Sequence, residues 1–213
     1  MKAYLLLLSL FVMPFLSSAQ RIDPKNIELG FTVSPNLGWM RVTNRQGQPI
    51  ASEGSRAGLS YGVLADLGFA RNYYFSTAFI ITSINSKISG LNPVSDSNIP
   101  GVTTYKTQYI EVPLTLKLKT NPSDLGRYYG QFGLGTGVKI SGQESVNGED
   151  DNKAPEVNTL RLSLIAGIGA EWDIRSSFKL QTGLTLNHGL SNAISSRYDI
   201  RSDYLALSLG VFF

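Results

Sequence analysis

The last ten residues, 204–213, read YLALSLGVFF and alternate strictly between two kinds of side chain. Every second position holds a large apolar residue, and the positions between them are smaller or more polar. The apolar set is Leu205, Leu207, Leu209, Val211 and Phe213. Because successive side chains of a β-strand point to opposite faces, this period of two predicts a strand with one apolar face.

The same alternation recurs upstream in seven more segments. They cover residues 27–39, 58–69, 73–83, 105–119, 128–140, 160–172 and 178–187. In each segment the face opposite the apolar one is dominated by Gly, Ser, Thr or charges of both signs, although the third segment is uncharged and alternates less cleanly. The sequence therefore predicts eight strands.

The connections between these segments alternate in length. Short connections follow the second, fourth and sixth strands, at residues 71–72, 121–124 and 173–177. Longer polar ones occupy about residues 43–56, 86–104, 142–156 and 190–201. Short turns at one end and long loops at the other are typical of an up-and-down meander, with both chain termini at the short-turn side.

Composition restricts the chemistry that the chain can perform. The 213 residues include no Cys and one His, so disulfide scaffolds, thiol catalysis and clusters of Cys or His zinc ligands are excluded. The formal charge of +3 is mild and no Lys/Arg block occurs, so we expect no nucleic-acid partner. Charged residues make up 16%, below the roughly 25% of ordinary soluble domains.

The N-terminus has the pattern of an export signal. Lys2 supplies a positive start, residues 3–16 are almost wholly apolar, and small residues at 17–19 end with Ala19. This predicts a cleaved signal peptide at 1–19 and a mature domain at 20–213. A membrane-anchoring helix is the alternative, although the segment is short for one.

Two folds could use eight alternating strands. A soluble β-sandwich or lipocalin-like barrel would turn its apolar faces inward, whereas a membrane barrel turns them to lipid. The export signal and the apolar face on every strand favour an all-β, eight-stranded antiparallel up-and-down transmembrane β-barrel. Aromatic residues near strand ends would then form interfacial girdles: Trp39, Tyr73, Tyr105, Tyr128, Trp172 and Tyr204.

The inward rows of such a barrel hold charges of both signs. The predicted lumen set is Glu28, Asp66, Glu111, Lys117, Lys119, Lys139, Arg161, Glu171 and Lys179. Buried charges must be paired, so we expect salt bridges across the lumen. Eight strands leave room for little more than side chains, which favours a plug over an ion-selective pore.

Three further features allow alternative interpretations. His188 has Ser191, Asp199 and Asp203 near it in sequence, and a Ser/His/acid set would make a lipid-modifying hydrolase.

The acidic run 149–151, between Glu144 and Glu156, lacks the residue spacing of a calcium-binding loop. It is interpreted as a solvated loop rather than a cation site. Pro113 lies within a strand, where it removes a ladder donor and predicts a bulge or strand-end irregularity.

The chain resembles the PorT-like porin family of bacterial outer-membrane barrels. The resemblance is carried by the signal segment and by three stretches, 109–114 (YIEVPL), 132–135 (FGLG) and 207–213 (LSLGVFF). It implies an outer-membrane location and recognition of Phe213 by the barrel-assembly machinery. Some members of that family serve protein secretion.

These observations predict a structural or interaction role through the long loops, with no catalytic residue, cofactor or metal. The expected partners are outer-membrane lipid and the assembly machinery, and a secretion or surface protein partner is left open. The hydrolase centred on His188 and the soluble periplasmic barrel remain as alternatives.

Overall fold

The computed structural model describes residues 27–43, 51–90, 101–124, 126–146, 152–153, 157–175, 178–194 and 199–213. The predicted signal peptide and the acidic run at 149–151 lie outside these ranges. Within them, no helix has the length and hydropathy needed to cross a bilayer. The strands are β1 (Ile27–Thr43), β2 (Ala51–Ala70), β3 (Tyr73–Gly90), β4 (Gly101–Lys119), β5 (Arg127–Val146), β6 (Asn152–Lys153), β7 (Leu160–Arg175), β8 (Phe178–Gly189) and β9 (Asp199–Phe212).

Eight of these strands close into one antiparallel barrel. The chain meanders from β1 to β5 and from β7 to β9, with β5 paired to β7 and β9 paired back to β1. The two-residue β6 extends from β5 beside residues 143–144. The predicted up-and-down order is confirmed. We call the end with the connections 71–72, 120–126 and 176–177 the short-turn end, and the opposite end the long-loop end.

The barrel turns its apolar side chains outward and its polar ones inward. Phe31, Leu160 and Ile168 are 60%, 69% and 68% exposed, whereas Asp66 and Thr82 are fully buried. A protein surrounded by water has the opposite distribution, because exposed apolar area is unfavourable there. Lipid is the solvent that suits this surface, and the soluble sandwich or lipocalin-like alternative is wrong.

The strands reach further toward the long-loop end than the sequence predicts. Residues 51–56, 86–90, 101–104 and 142–146 belong to strands, although they fall in the predicted long loops. A tilted strand of 9–11 residues spans a bilayer, but β2 and β5 have 20 residues each. Both faces of these extensions carry polar residues, so the alternation that predicts a strand is absent. The backbone hydrogen bonds between neighbouring strands continue nevertheless.

An apolar core fills the lumen at the long-loop end. We call it the apolar plug; its main members are Met40, Ile84, Ile88, Tyr105, Val157, Ile194 and Ile200. Residues 190–194 reach it from β8, where the Ala193 amide donates to the Ile200 carbonyl at 2.7 Å. Tyr105 and Tyr204 therefore lie inside the barrel, and their assignment to an interfacial girdle is wrong.

Pro113 does not mark a bulge. β4 keeps one register with β3 on both sides of Pro113, and on its other edge Pro113 lies opposite Gly135. The register shift between β4 and β5 falls instead between Gln108 and Tyr109. Thr77 Oγ1 donates to the Pro113 carbonyl at 2.9 Å, so a side chain supplements the ladder beside the missing amide.

Candidate functional sites in the lumen and on the outer wall

A charge-balanced group of side chains crosses the lumen near the short-turn end. We call it the ionic layer; it consists of Glu28, Asp66, Glu171, Lys117, Lys119 and Lys179. Lys117 Nζ donates to Asp66 Oδ2 at 2.7 Å and to Gln181 Oε1 at 3.0 Å. Lys179 Nζ donates to Glu28 Oε1 at 2.5 Å. Three carboxylates thus face three ammonium groups, and the six residues come from five strands, since Lys117 and Lys119 both belong to β4.

Lys119 lies at the centre of the ionic layer. Its Nζ is 2.8 Å from Glu28 Oε2, 3.3 Å from Asp66 Oδ2 and 2.8 Å from Glu171 Oε1. Carboxylate oxygens of these three residues lie within 4.8 Å of one another, which is the spacing of a metal-binding group. Because the Lys119 ammonium already touches all three, the chain itself provides the cation that they require.

A second polar group lies further toward the long-loop end. Arg161 Nη1 donates to Glu111 Oε1 at 2.7 Å, and Arg161 Nη2 donates to Asn187 Oδ1 at 2.8 Å. Thr82 Oγ1 and Tyr204 Oη both donate to Glu111 Oε2, at 2.8 and 2.7 Å. Both carboxylate oxygens of the buried Glu111 therefore accept hydrogen bonds. A charge removed from water is stable only when it is paired and hydrogen-bonded in this way.

An internal cavity of about 90 Å³ separates these two groups. Its polar lining is mostly hydroxyl and amide, and includes Ser34, Ser60, Thr115 and Gln131. A water molecule needs roughly 10–15 Å³ of such space, so the cavity has room for roughly six to nine. The lumen thus has a small chamber, large enough for water, between the ionic layer and the apolar plug.

The predicted lumen charges divide between these groups, with one exception. Six form the ionic layer, and Glu111 and Arg161 form the second group. Lys139 lies beside the apolar plug, where its Nζ donates to the backbone carbonyl of Val157. Sequence reasoning missed the plug and the partners Ser76, Gln181, Asn187 and Tyr204. Gln181 and Asn187 share the inward row of β8 with the predicted Lys179, whereas β3 and β9 carry no predicted charge that could have drawn attention to the other two.

His188 lies on the outer wall, at the long-loop end of β8. Its Nδ1 is 3.5 Å from Asp203 Oδ1, and its Nε2 is 3.1 Å from Arg41 Nη1. Ser191 Oγ accepts the Leu162 amide at 2.9 Å. The structure therefore brings together the histidine and one acid of the predicted set, while the nitrogen that would activate a serine faces a guanidinium.

The other predicted residues lie apart from this group. Asp199 pairs with Arg201 Nη2 at 3.2 Å. Glu144 belongs to β5, and Glu156 lies outside the described residues. Phe213, the expected assembly signal, is exposed at the short-turn end, where its ring centroid lies 5.6 Å from that of Phe31.

Comparisons with solved structures find several similar outer-membrane proteins. Neisserial surface protein A matches with a TM-score of 0.50 and 14% identity, over 86% of this chain and 95% of that one. OprG from Pseudomonas aeruginosa gives 0.44 and 11%, over 88% and 94%. Ail of Yersinia pestis gives 0.41 and 11%, over 88% and 99%. No curated protein sequence matches significantly.

At these identities the structural likeness shows the fold alone, whereas the sequence match is to a defined family. The family model described as the outer membrane protein beta-barrel domain matches residues 18–195, well over half of the chain. The match agrees with the outward apolar rows and the closed ladder described above. The chain belongs to the family of outer-membrane proteins built on this β-barrel domain.

Proposed function

We propose that this protein is a non-conducting outer-membrane scaffold that presents its long-loop end to surface ligands or partner proteins, without catalysis. The observation that carries the proposal is the filled lumen. The ionic layer and the apolar plug occupy it at two levels, and the chamber between them is small. An obstructed interior leaves the outer loops and the rim as the surface available for function.

The finer assignment is to the PorT-like porins, with a cleaved signal at 1–19 and a mature domain at 20–213. Export would precede insertion by the barrel-assembly machinery, with Phe213 as the terminal signal. The strand extensions of β2 to β5 support a role at the long-loop end, because they hold the connecting segments beyond the bilayer.

Conductance of the purified barrel in a planar lipid bilayer tests the closed lumen. We expect a current indistinguishable from that of lipid alone, because both obstructions would have to clear before ions could cross. Discrete conductance steps from a heat-modifiable, folded preparation would overturn the scaffold proposal in favour of a channel.

The orientation of the barrel in the membrane is tested by labelling single introduced cysteines. The sequence contains no cysteine, so only the introduced residue can react. Ser95→Cys in the second long connection should react with a membrane-impermeant maleimide on intact cells. Asn121→Cys at the short-turn end is the matched control and should react only after the outer membrane is permeabilised. The reverse pattern would place the long loops in the periplasm.

The contact of His188 with Asp203 favours a lipid hydrolase as the second candidate. We expect no release of fatty acid from phospholipid vesicles by the folded protein. Hydrolysis that is lost in the His188→Ala variant, with folding retained, would replace the scaffold proposal by catalysis.

A further inference from the structure

We propose that the chamber in the lumen binds a small neutral molecule of the phenol or short-chain alcohol class, which enters from the bilayer through the wall between β3 and β4. That wall lacks a ladder hydrogen bond at Pro113. The chamber borders a groove on the outer wall at the same place. Entry from the side requires neither the apolar plug nor the ionic layer to open, so it is compatible with a lumen that conducts no ions.

The ladder between β3 and β4 is interrupted beside the chamber. The two strands pair in one register on both sides of Pro113, but the pairs that would join Ala78 and Phe79 to residues 112–113 are absent. Both pairs would use a hydrogen bond from the Pro113 amide to the Ala78 carbonyl, and proline has no N–H. On its other edge Pro113 keeps its pairing with Gly135. We call the interruption between β3 and β4 the Pro113 gap.

The Pro113 gap lies at the depth of the hydrocarbon. Its outward neighbours Phe79, Val112 and Leu114 are all exposed on the apolar outer wall. Hydrocarbon offers no partner to a carbonyl that has lost its donor, and irregular backbone at this depth is tolerated where it lines a polar cavity. The chamber supplies such a cavity on the inner side of the gap.

A groove on the lipid-facing wall meets the chamber at the Pro113 gap. The groove has a volume of about 500 Å³ and an apolar lining that includes Phe31. Leu64, Thr77 and Ala78 line both the groove and the chamber. A molecule dissolved among the lipid chains therefore has a short path into the lumen at the place where the ladder lacks a hydrogen bond.

The chamber offers apolar contact beside the gap and hydrogen bonds across from it. Four apolar residues of β2, β3 and β4 line it beside the gap: Leu64, Ala78, Ile80 and Pro113. In the ring of eight strands β8 lies opposite β3, and it contributes Gln181, Thr185 and Asn187, all of them polar. A molecule with an apolar body and one hydrogen-bonding end fits this arrangement.

The charged groups of the lining are already paired, which indicates a neutral ligand. Lys117 binds Asp66 and Gln181, and Glu111 binds Arg161 together with two hydroxyl groups. A charged molecule would lose its hydration without gaining a counter-charge from these groups. Space for roughly six to nine waters suits a molecule of about that many non-hydrogen atoms. Phenols and short-chain alcohols have this size and carry one hydroxyl.

Fluorine NMR of the folded barrel in lipid nanodiscs, with 4-fluorophenol as the probe, tests the site. We expect a resonance of the bound probe that is separate from that of the probe dissolved in lipid. Ala78→Leu places a larger side chain in the chamber and should weaken binding at least about ten-fold. Ala166→Leu is the matched control: it is exposed on β7, lines neither the chamber nor the groove, and should leave the Kd within about two-fold of wild type.

The rate at which the probe exchanges between lipid and chamber tests the route. Pro113→Ala restores the missing donor, so it should slow exchange about two- to ten-fold, the effect of one more hydrogen bond, and leave the Kd unchanged. Pro35 causes a similar interruption between β1 and β9, but it lines neither the chamber nor the groove. Pro35→Ala is therefore the matched control and should not change the exchange rate.

A folded wild-type barrel without a bound resonance would overturn the inference, as would binding that Ala78→Leu leaves unchanged. If that variant does not fold, as judged by heat-modifiable gel mobility, Ile80→Phe takes its place. Exchange that slows in Pro35→Ala, or in neither proline variant, would show that the probe does not enter through the Pro113 gap. None of these measurements depends on which end of the barrel faces outward, so their failure is distinct from a failure of the cysteine-labelling experiment.

Discussion

At the scale of single residues, Lys119 is the side chain on which most of the buried charge depends. Lys119→Met keeps the length of the side chain but leaves the buried Glu171 without an ion-pair partner among the described residues. Asp66 keeps Lys117, and Glu28 keeps Lys179. Removing one partner of a buried ion pair costs about 3–5 kcal/mol, because the remaining charge has no compensation. We expect a loss of that size in the free energy of unfolding, measured by urea titration of the barrel folded in lipid vesicles.

Lys179→Met is the matched control for this change. Its side chain is 32% exposed and contacts Glu28 alone, so about 1 kcal/mol or less should be lost. Adding Glu171→Gln to Lys119→Met removes the carboxylate that has lost its ion-pair partner and should recover part of the stability. Equal effects of the two lysine substitutions would contradict the central role of Lys119.

Gly169 and Gly183 lie opposite each other on β7 and β8, where the Tyr129 ring crosses the inner wall. A Cβ added at Gly183 would be 2.4 Å from Tyr129 Oη and 2.6 Å from the Ile168 carbonyl. Gly183→Ala should therefore destabilise the barrel by about 1–3 kcal/mol, the usual cost of overpacking. The measurement is urea unfolding monitored by heat-modifiable gel mobility.

Tyr129→Phe separates the hydroxyl from the backbone contribution at this site. Tyr129 Oη has no hydrogen-bond partner, so its removal alone should change stability little. In the Gly183→Ala background the same substitution should return part of the lost stability. A double variant no more stable than Gly183→Ala would assign the whole effect to the backbone contact with Ile168.

At the scale of the strand, depth in the bilayer should decide the cost of a charge on the outer face. On β5, Leu134 is 55% exposed at the middle of the outward apolar row, and Ile140 is 49% exposed near its upper limit. Leu134→Arg should cost about 2–4 kcal/mol and Ile140→Arg about 0–1 kcal/mol, because the penalty falls toward the interface. Unfolding titrations in vesicles measure both, and equal costs would argue against lipid on this face.

The strands also show what sequence alone can predict. Alternation identifies which face of the sheet a residue occupies, because odd and even positions of one strand point to opposite sides. Glu111, Thr115 and Lys117 of β4 lie inward as expected. What a residue packs against at its level along the barrel axis depends on distant parts of the chain and cannot be read from alternation. Tyr105 has the same parity as Glu111 but packs in the apolar plug, since residues from the connection between β8 and β9 reach into that level of the lumen.

The position of strand ends depends on similar long-range information. Residues 101–104 lack alternation, yet they pair with β3 because the hairpin continues beyond the apolar band. The pairing of particular charges was also beyond sequence reasoning: Lys119 meets Glu28, 91 residues away. The presence of both charge signs on the inward rows predicts that ion pairs form. Which residues pair is determined by how the barrel closes and by the register between its strands.

At the scale of the whole molecule, the lumen contains two obstructions in series, and they differ in kind. The apolar plug obstructs the lumen with packed side chains that are mostly aliphatic, while the ionic layer fills its level with six charged side chains held by mutual attraction. Obstructions in series pass ions only when both are open. Removing either one alone should therefore leave the barrel closed.

Two obstructions in series have a consequence for the conductance of three variants in planar bilayers. Ile84→Gly/Ile200→Gly thins the plug, and Lys119→Ala/Glu171→Ala opens the ionic layer while keeping its charges balanced. Each pair alone should give the current of lipid alone, and only the combined variant should show conductance steps, provided that heat-modifiable mobility shows it to be folded. Steps from the plug variant alone would mean that ions pass between the charged side chains, and the ionic layer would then act as a filter rather than a second barrier.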